Sequence, residues 1–374
     1  MKSFHSSDVV VIGGGASGCA TAYYLSKKGA SVTIVEREGI ATQASGYSAG
    51  MLNPLTGIGI PGGLQNLAKM SFRLHQELWN SLIDETGFNF HPEKVSTIDL
   101  LFEESEIPSL ENIRKTYETE DGFESYWLEK SELDAIKPSL SPEVKKGLYT
   151  WGNCSLDSMI LTKAFANSAM NLLGFLITGN VTGIESQGGR VTAVITRDGK
   201  IDCGAVVFAS GPWSAEGEEW LNICIPVTPL KGQIIRTKLQ SVETQPSHDF
   251  NGSGISLYRK HDGLIWVGAT EENVGFDQSQ TAEAKRHLLT NATRIMPEIK
   301  NSEVVMHTVC LRPITPDWLP IIGKAPGWEN VWLNTGAGKK GILLCPAMGK
   351  ATADLVVSDN TDVPIQGFDP SRFQ

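Results

Sequence analysis

Residues 8–37 combine two short apolar runs with a helical pattern between them. Residues 9–12 are apolar, a helical pattern follows the next loop to about Lys28, and residues 32–35 are apolar again and end on Glu36. Short apolar runs on either side of a helix are typical of a βαβ unit with parallel strands. The pattern therefore predicts a βαβ unit at the start of the chain.

The loop between the first strand and the helix has the spacing G-x-G-x-x-G, at Gly13, Gly15 and Gly18. In this context the first glycine permits a tight turn, the second admits a pyrophosphate, and the third lets helix and strand pack closely. The helix N-terminus offers backbone N–H groups and partial positive charge. Glu36 lies where a carboxylate binds ribose hydroxyls. We therefore predict a dinucleotide site, although a glycine-rich turn in an ordinary βαβ unit would share the spacing.

The remaining pattern mixes helices with strand-rich stretches. Further helices are predicted at 64–86, 129–136, 155–173 (capped by Ser155 or Asp157), 282–296 and 342–358. Further strands are predicted at 97–102, 175–177, 191–196, 201–208, 233–238, 256–259, 264–268 and 330–333. Glycine-rich loops occupy 41–57, 209–214 and 335–341. Because nucleotide-type loops occur at both ends of the chain and near its middle, we expect one discontinuous dinucleotide-binding domain interrupted by β-rich insertions.

Composition narrows the class of protein. The 374 residues are 41% hydrophobic and 20% charged, with a formal net charge of −10. This balance favours a globular protein of two domains and makes nucleic acid or an anionic membrane a poor default partner. We see no apolar run of about 18 residues and no signal-peptide pattern at the N-terminus. The six scattered cysteines lack C-x-x-C pairs, which argues against a zinc site and favours a reducing compartment.

Five segments of the chain carry a family resemblance. They are the βαβ unit ending in Glu36-Arg37, Ala44-Ser45-Gly46 with Ala49-Gly50-Met51, residues 206–213, residues 311–317 (L-R-P-I-T-P-D) with 320–323, and residues 336–343. In this order they resemble the FAD-dependent D-amino acid oxidase superfamily, in its glycine oxidase and sarcosine oxidase branch. The resemblance implies an α/β fold, with a discontinuous Rossmann-like FAD-binding domain at 1–88, 150–226 and 308–374. It implies a β-rich substrate domain, an antiparallel sheet plus helices, at 89–149 and 227–307.

The same resemblance implies FAD as cofactor and oxidation at an amine α-carbon. It places cofactor contacts at Gly13, Gly15, Ala16, Ser17, Gly18, Glu36, Arg37, Ala44, Ser45, Ala49, Gly50, Met51, Val181 (through its backbone, to the adenine), Ser210, Gly211, Trp213, Arg312, Gly338, Lys339, Lys340, Gly341 and Ile342. It places the substrate-carboxylate arginine at Arg312. The lysine that activates oxygen in monomeric sarcosine oxidases is replaced here by Trp266.

Four residues are candidates for contact with the substrate, each with a structural alternative. Arg312 fits a carboxylate clamp because its guanidinium is planar and bidentate, but an ion pair with Asp317 would also hold it. Lys339 either contacts the flavin or the substrate, or is a solvated loop lysine. Tyr258 lines the substrate cavity or simply packs. Glu271 binds a polar extension of the substrate or is a solvated charge at a strand end.

Cys310 stands two residues before Arg312, where monomeric sarcosine oxidases carry their covalent flavin link. Because buried cysteines are mostly inert, we expect the FAD to be non-covalently bound. The histidines show no metal-ligand spacing, and we predict no metal site.

These residues predict an FAD-dependent oxidoreductase acting on CH–NH groups of a small amino or imino acid, such as glycine, sarcosine or another N-substituted glycine. Two alternatives stay open. The enzyme could oxidise a carboxymethylaminomethyl group on a tRNA wobble uridine, or be a dehydrogenase that passes electrons to a carrier instead of oxygen. We expect a cytoplasmic protein, or one of an organellar stroma or matrix after removal of a transit peptide, and not a secreted one. A homo-oligomer is left open.

Overall fold

A computed structural model describes residues 3–240 and 245–374. Its α-helices are α1 (Ala16–Lys27), α2 (Ala44–Tyr47), α3 (Gln65–Thr86), α4 (Ile107–Glu118), α5 (Lys130–Asp134), α6 (Ser158–Met170), α7 (Glu218–Leu221), α8 (Ala282–Ile295) and α9 (Gly341–Ser358). Its strands are β1 (Ser3–Ile12), β2 (Val32–Glu36), β3 (Met51–Leu52), β4 (Glu93–Leu101), β5 (Glu124–Leu128), β6 (Lys146–Ser155), β7 (Gly174–Thr178), β8 (Val181–Gln187), β9 (Arg190–Thr196), β10 (Gly199–Phe208), β11 (Thr228–Lys238), β12 (Asp249–Gly252), β13 (Ile255–Arg259), β14 (Ile265–Gly268), β15 (Glu303–Ile314), β16 (Ile321–Lys324) and β17 (Val331–Thr335).

The chain divides into two compact units. The first comprises Met1–Phe90, Asp157–Leu230 and Leu311–Gln374, and the second comprises His91–Leu156 and Lys231–Cys310. The predicted dinucleotide-binding and substrate domains have the same numbers of segments as these two units. Each predicted boundary lies two to seven residues before the observed one; for example, the first segment is predicted to end at 88 and ends at 90, and the next is predicted to begin at 150 and begins at 157. The first unit is discontinuous because the β-rich segments of the second unit interrupt its chain twice.

The first unit is built on a mainly parallel sheet of order β16-β17-β10-β1-β2-β7, in which β9 also pairs with β10 and β8 pairs with β9. β1 pairs in parallel with both β10 and β2, and β17 pairs in parallel with β10. Helix α1 packs against α9 and α6, and α3 packs against α9. The central strands are buried, as expected for a parallel sheet with helical cover. The arrangement is the Rossmann-like fold that the sequence predicts.

The second unit contains a sheet in which β11, β14, β13, β12, β4 and β6 are successive neighbours, and β5 pairs with β6. Most of these pairs are antiparallel, but β12 and β4 are parallel. One face packs on a core that includes Phe250, Leu257 and Val267, together with Leu288 and Ile295 of α8. This unit is the β-rich domain with helices that the sequence predicts.

The structure corrects several predicted elements. The helix predicted at 155–173 begins at Ser158, because Asp157 caps it by accepting a hydrogen bond from the Ile160 N–H at 2.9 Å. The loop predicted at 41–57 contains α2 and β3. The sequence pattern missed α4, α7, β5, β6, β8, β12, β15 and β16. In α4, β8 and β15, exposed residues weaken the hydrophobic periodicity.

Among the described residues, one helix is long and apolar enough to cross a membrane, which differs from the expectation of no such segment. Residues Gly338–Ser358 have a mean hydropathy of 1.3, and 67% of that window is buried within the protein. A helix that packs on both α1 and α3 is apolar on nearly all sides because it lies in the core.

Candidate active site

The carboxyl ends of four parallel strands meet at one edge of the first unit's sheet. Ile12 at the end of β1 is in register with Phe208 of β10 and Val35 of β2, and Phe208 is in register with Leu333 of β17. The loops that follow these strands therefore emerge side by side. In open α/β sheets this edge is where ligands bind.

The glycines of the first loop have the close contacts that the sequence predicts. Gly13 has φ 114°, and a Cβ there would lie 2.4 Å from the Ala209 carbonyl oxygen. A Cβ on Gly18 would lie 2.1 Å from the Gly13 carbonyl oxygen. Gly15 differs, because the nearest heavy atom to its added Cβ is Ser45 Oγ at 3.3 Å. Gly13 and Gly18 thus serve packing, and Gly15 borders space beside the N-terminus of α1.

The end of β2 is connected to two of the loops. Glu36 Oε2 accepts a hydrogen bond from the Gly14 N–H at 2.6 Å, and Glu36 Oε1 accepts one from the Glu38 N–H at 3.1 Å. The Arg37 guanidinium lies 3.7 Å from the centroid of the Trp213 ring. The predicted ribose-binding carboxylate therefore also fixes the glycine-rich loop, a second role that the sequence pattern alone did not reveal.

The segment from Ala44 to Met51 lies beside the start of α1. Ser45 Oγ accepts a hydrogen bond from the Ala16 N–H at 2.9 Å. Farther along, the Ser48 carbonyl accepts one from Ser158 Oγ at 2.9 Å. These contacts place the predicted flavin loop next to the glycine-rich loop.

The loops after β10 and β17 are joined to each other. Ser214 Oγ and Thr335 Oγ1 are 2.6 Å apart, and Thr335 Oγ1 also donates to the Gly211 carbonyl at 3.2 Å. Behind them, buried Asn334 donates from Nδ2 to Thr21 Oγ1 of α1 at 2.8 Å. Sequence reasoning missed Asn334 and Thr335, although both directly precede the glycines of the closing loop.

The two lysines of the closing loop have different environments. Lys339 is exposed, with Nζ 5.7 Å from the centroid of the Trp318 ring. Lys340 is partly buried, and Nζ donates to the carbonyls of Asn53 at 3.2 Å and Thr56 at 2.7 Å. Burial, with a smaller contribution from Lys339, lowers the pKa of Lys340 to about 8. Lys340 therefore holds a protein loop, whereas Lys339 extends towards solvent.

Arg312 is partly exposed near the end of β15 and follows Leu311, which is fully buried. Asp317, the expected structural partner of Arg312, instead pairs with Arg372, whose Nε lies 2.9 Å from Asp317 Oδ2. Hydrogen bonding to Arg372 lowers the pKa of Asp317 against the opposing effect of burial. Val181, the predicted adenine contact, begins β8 and is buried.

In the second unit, Tyr258 lies on β13 directly opposite Trp266 of β14, and Glu271 is exposed after β14. The Trp266 ring has the Arg236 guanidinium 3.6 Å from its centroid. Cys310 is buried, and all six cysteines are free of disulfides. The residues that the structure describes contain no cluster of three or more groups suited to a metal ion.

The first unit's loops fit a dinucleotide that carries a pyrophosphate and a ribose. Gly15 leaves room beside the N-terminus of α1, where phosphate oxygens are favoured, and Glu36 presents a carboxylate at the end of β2. The site and fold define a dinucleotide-binding protein of the Rossmann type. Residues 8–355 match the family model described as FAD dependent oxidoreductase, and the chain belongs to that family. Its cofactor is FAD, and it acts on C–N bonds.

Individual relatives agree with this family. The chain is 30% identical to the glycine oxidase of Pseudomonas putida over 94% of each chain. It is 32% identical to the bifunctional protein ThiO/ThiG of Nostoc over 98% of its own length, but it spans only 55% of that longer protein. Among solved structures, glycine oxidase from Geobacillus kaustophilus superimposes with a TM-score of 0.91 and 27% identity, covering 98% of this chain and 99% of that one.

Proposed function

We propose that the protein oxidises the C–N bond of a small amino or imino acid, with glycine, sarcosine or another N-substituted glycine as the favoured substrate class. The product is an imine, which water hydrolyses. Relatives named glycine oxidase, which align along nearly the whole chain, support this class.

The observation that carries the proposal is the state of Arg312. Arg312 is partly exposed and lies near the end of β15, in the same unit as the dinucleotide-binding loops. Both oxygens of Asp317, the expected structural partner of Arg312, accept hydrogen bonds from Arg372. A planar guanidinium binds a carboxylate through two parallel hydrogen bonds.

The cofactor and the protein have separate tasks in the proposed reaction. When bound, FAD supplies the hydride acceptor for the substrate α-carbon. The protein then has to bind and orient the substrate, and we assign the carboxylate to Arg312. Substrate binds as the free amine, because a protonated amine has no lone pair to assist the loss of hydride. Lys339, Tyr258 and Glu271 are proposed to select the remainder of the substrate.

The test is anaerobic reduction of the yellow holoprotein. A panel of glycine, sarcosine, other N-alkyl glycines and larger amino acids is added without oxygen, and loss of the flavin absorbance is recorded. Rapid bleaching by the small amino acids supports the proposal. Bleaching by none of them, in protein that contains full FAD, overturns it.

Admission of oxygen after bleaching separates two alternatives. Rapid recovery of the absorbance identifies an oxidase, and slow recovery identifies a dehydrogenase that uses an electron carrier. Action on a modified tRNA uridine is the less favoured alternative, since the chain carries a net charge of −10 and RNA binding depends on basic surfaces. We also propose a reducing compartment, because the six cysteines form no disulfides.

A further inference from the structure

Lys340 occupies the position immediately before α9, and its side chain contacts a loop that lies far away in the sequence. Its Nζ donates to the carbonyls of Asn53 and Thr56, at 3.2 and 2.7 Å. These carbonyls belong to residues 53–57, the clamp loop, which directly follows β3. One ammonium group therefore connects the start of α9 to the clamp loop.

The clamp loop is shaped to receive this ammonium. Asn53 Oδ1 accepts hydrogen bonds from the N–H groups of Leu55 at 2.9 Å and Thr56 at 3.0 Å, which orients the local carbonyls. Gly57 has φ 122°, and a Cβ there would lie 2.7 Å from both Cε and Nζ of Lys340. The backbone angle favours glycine here, and a Cβ would displace the end of the Lys340 side chain from its present position.

We propose that Lys340 is a positioning residue for FAD, which holds the clamp loop and the preceding flavin segment in the binding arrangement and makes FAD affinity depend on pH. The predicted flavin loop, residues 44–51, leads through β3 directly into Asn53, and this connection is the link to the cofactor. The proposal rests on the FAD site of the proposed function but not on the identity of the substrate.

The charges around Lys340 set the direction of the pH effect. The clamp loop, with sequence N-P-L-T-G, has no ionisable side chain, and Lys339 on the same turn is the neighbouring cation. Burial and Lys339 together lower the pKa of Lys340 to about 8. As pH rises through this value, two charge-assisted hydrogen bonds become weaker bonds from a neutral amine. The clamp loop then loosens, and FAD affinity falls.

The first test measures FAD release from the full-length holoprotein. Samples are diluted at pH values from 6.5 to 9.5, and flavin fluorescence gives the dissociation constant. We expect the wild-type constant to rise several-fold across pH 8. Lys340→Met should raise it at least tenfold at pH 7 and remove the pH dependence. Lys324→Met, which removes a partly exposed lysine paired with Asp359, is the matched control and should behave like wild type.

A wild-type constant that is flat across pH 8, or a Lys340→Met constant within twofold of wild type at pH 7, overturns the proposal. The readout uses no substrate, so it is independent of the proposed reaction. A protein with the expected FAD behaviour that no amino acid bleaches would refute the proposed function alone.

A second test remains informative if Lys340→Met folds poorly. Gly57→Ala is measured alone and combined with Lys340→Ala. The strain at φ 122° is common to both backgrounds, but the collision at 2.7 Å exists only when Lys340 is present. We therefore expect Gly57→Ala to weaken FAD binding several-fold more in the Lys340 background. Equal effects in the two backgrounds would show that the lysine does not shape the clamp loop.

Discussion

A Cβ placed on Gly18 would lie 2.1 Å from the carbonyl oxygen of Gly13. Gly18 lies in the first turn of α1, and Gly13 directly follows β1, so the helix and the strand end are in close contact here. No side-chain rotation relieves a contact between a Cβ and a backbone oxygen. The requirement for glycine at residue 18 is therefore a property of the fold and exists before any cofactor binds.

Gly15 and Gly18 should thus respond differently to the same substitution. Gly18→Ala is expected to lower stability strongly and to reduce the yield of folded protein. Gly15→Ala, whose Cβ meets only Ser45 Oγ at 3.3 Å, should fold with a near-normal melting temperature but bind FAD weakly. Gly15→Val should purify without colour. Circular dichroism and the flavin-to-protein absorbance ratio separate the outcomes, and a yellow, fully loaded Gly15→Val protein would rule out a pyrophosphate at this position.

Arg312→Ala should remove two parallel charge-assisted hydrogen bonds to the substrate carboxylate. Hydrogen bonds to charged groups contribute roughly 1.5–3 kcal/mol each. The transition state should therefore lose about 3 kcal/mol of stabilisation, which lowers kcat/KM on the order of a hundredfold or more. Arg312→Lys should recover only part of this loss. FAD content should stay near normal.

The comparison that decides the role of Arg312 uses an amino acid and its decarboxylated amine. The wild type should prefer the amino acid, and Arg312→Ala should lose that preference. If the variants keep the wild-type ratio of the two rates, the carboxylate binds elsewhere.

The FAD should be released by acid precipitation, because a buried Cys310 thiol is expected to be inert. Yellow colour should then appear in the supernatant. Colour that stays with the pellet in wild type and leaves it in Cys310→Ser would instead establish a covalent link.

His75 should make stability depend on pH. Its ring is fully buried in α3, with Nε2 2.8 Å from the Ile342 carbonyl of α9, and burial lowers its pKa to about 4. An unfolded chain binds a proton there near pH 6.5, and the folded chain does not. The free energy of unfolding should therefore fall as pH drops from 6.5 to 4, by about 3 kcal/mol from this group at most.

Urea unfolding at pH 7 and pH 4.5 measures this contribution. Between pH 7 and pH 4.5, the free energy of unfolding of His75→Gln should fall less than that of wild type. The two proteins have all other titrating groups in common, so the difference reports His75. His287→Gln, which removes an exposed imidazole, is the control and should keep the wild-type loss. The same pH-dependent loss in all three proteins would contradict the assignment.

The sequence alone determined the βαβ unit, the close packing at Gly18 and the discontinuous organisation of the chain. These features depend on local rules, since a strand, a tight turn and a helix N-terminus are encoded within about thirty residues. The FAD family was recognisable for the same reason, because its motifs are short and occur in a fixed order.

Tertiary structure alone decided which partners these residues have. Asp317 pairs with Arg372 and Lys340 binds the clamp loop, and each contact joins residues far apart in the chain. The two adjacent lysines look equivalent in the sequence, yet only Lys340 is drawn inward, to carbonyls 284 and 287 residues away. Side-chain partners depend on how distant segments pack, and the local periodicity of the sequence does not determine that packing.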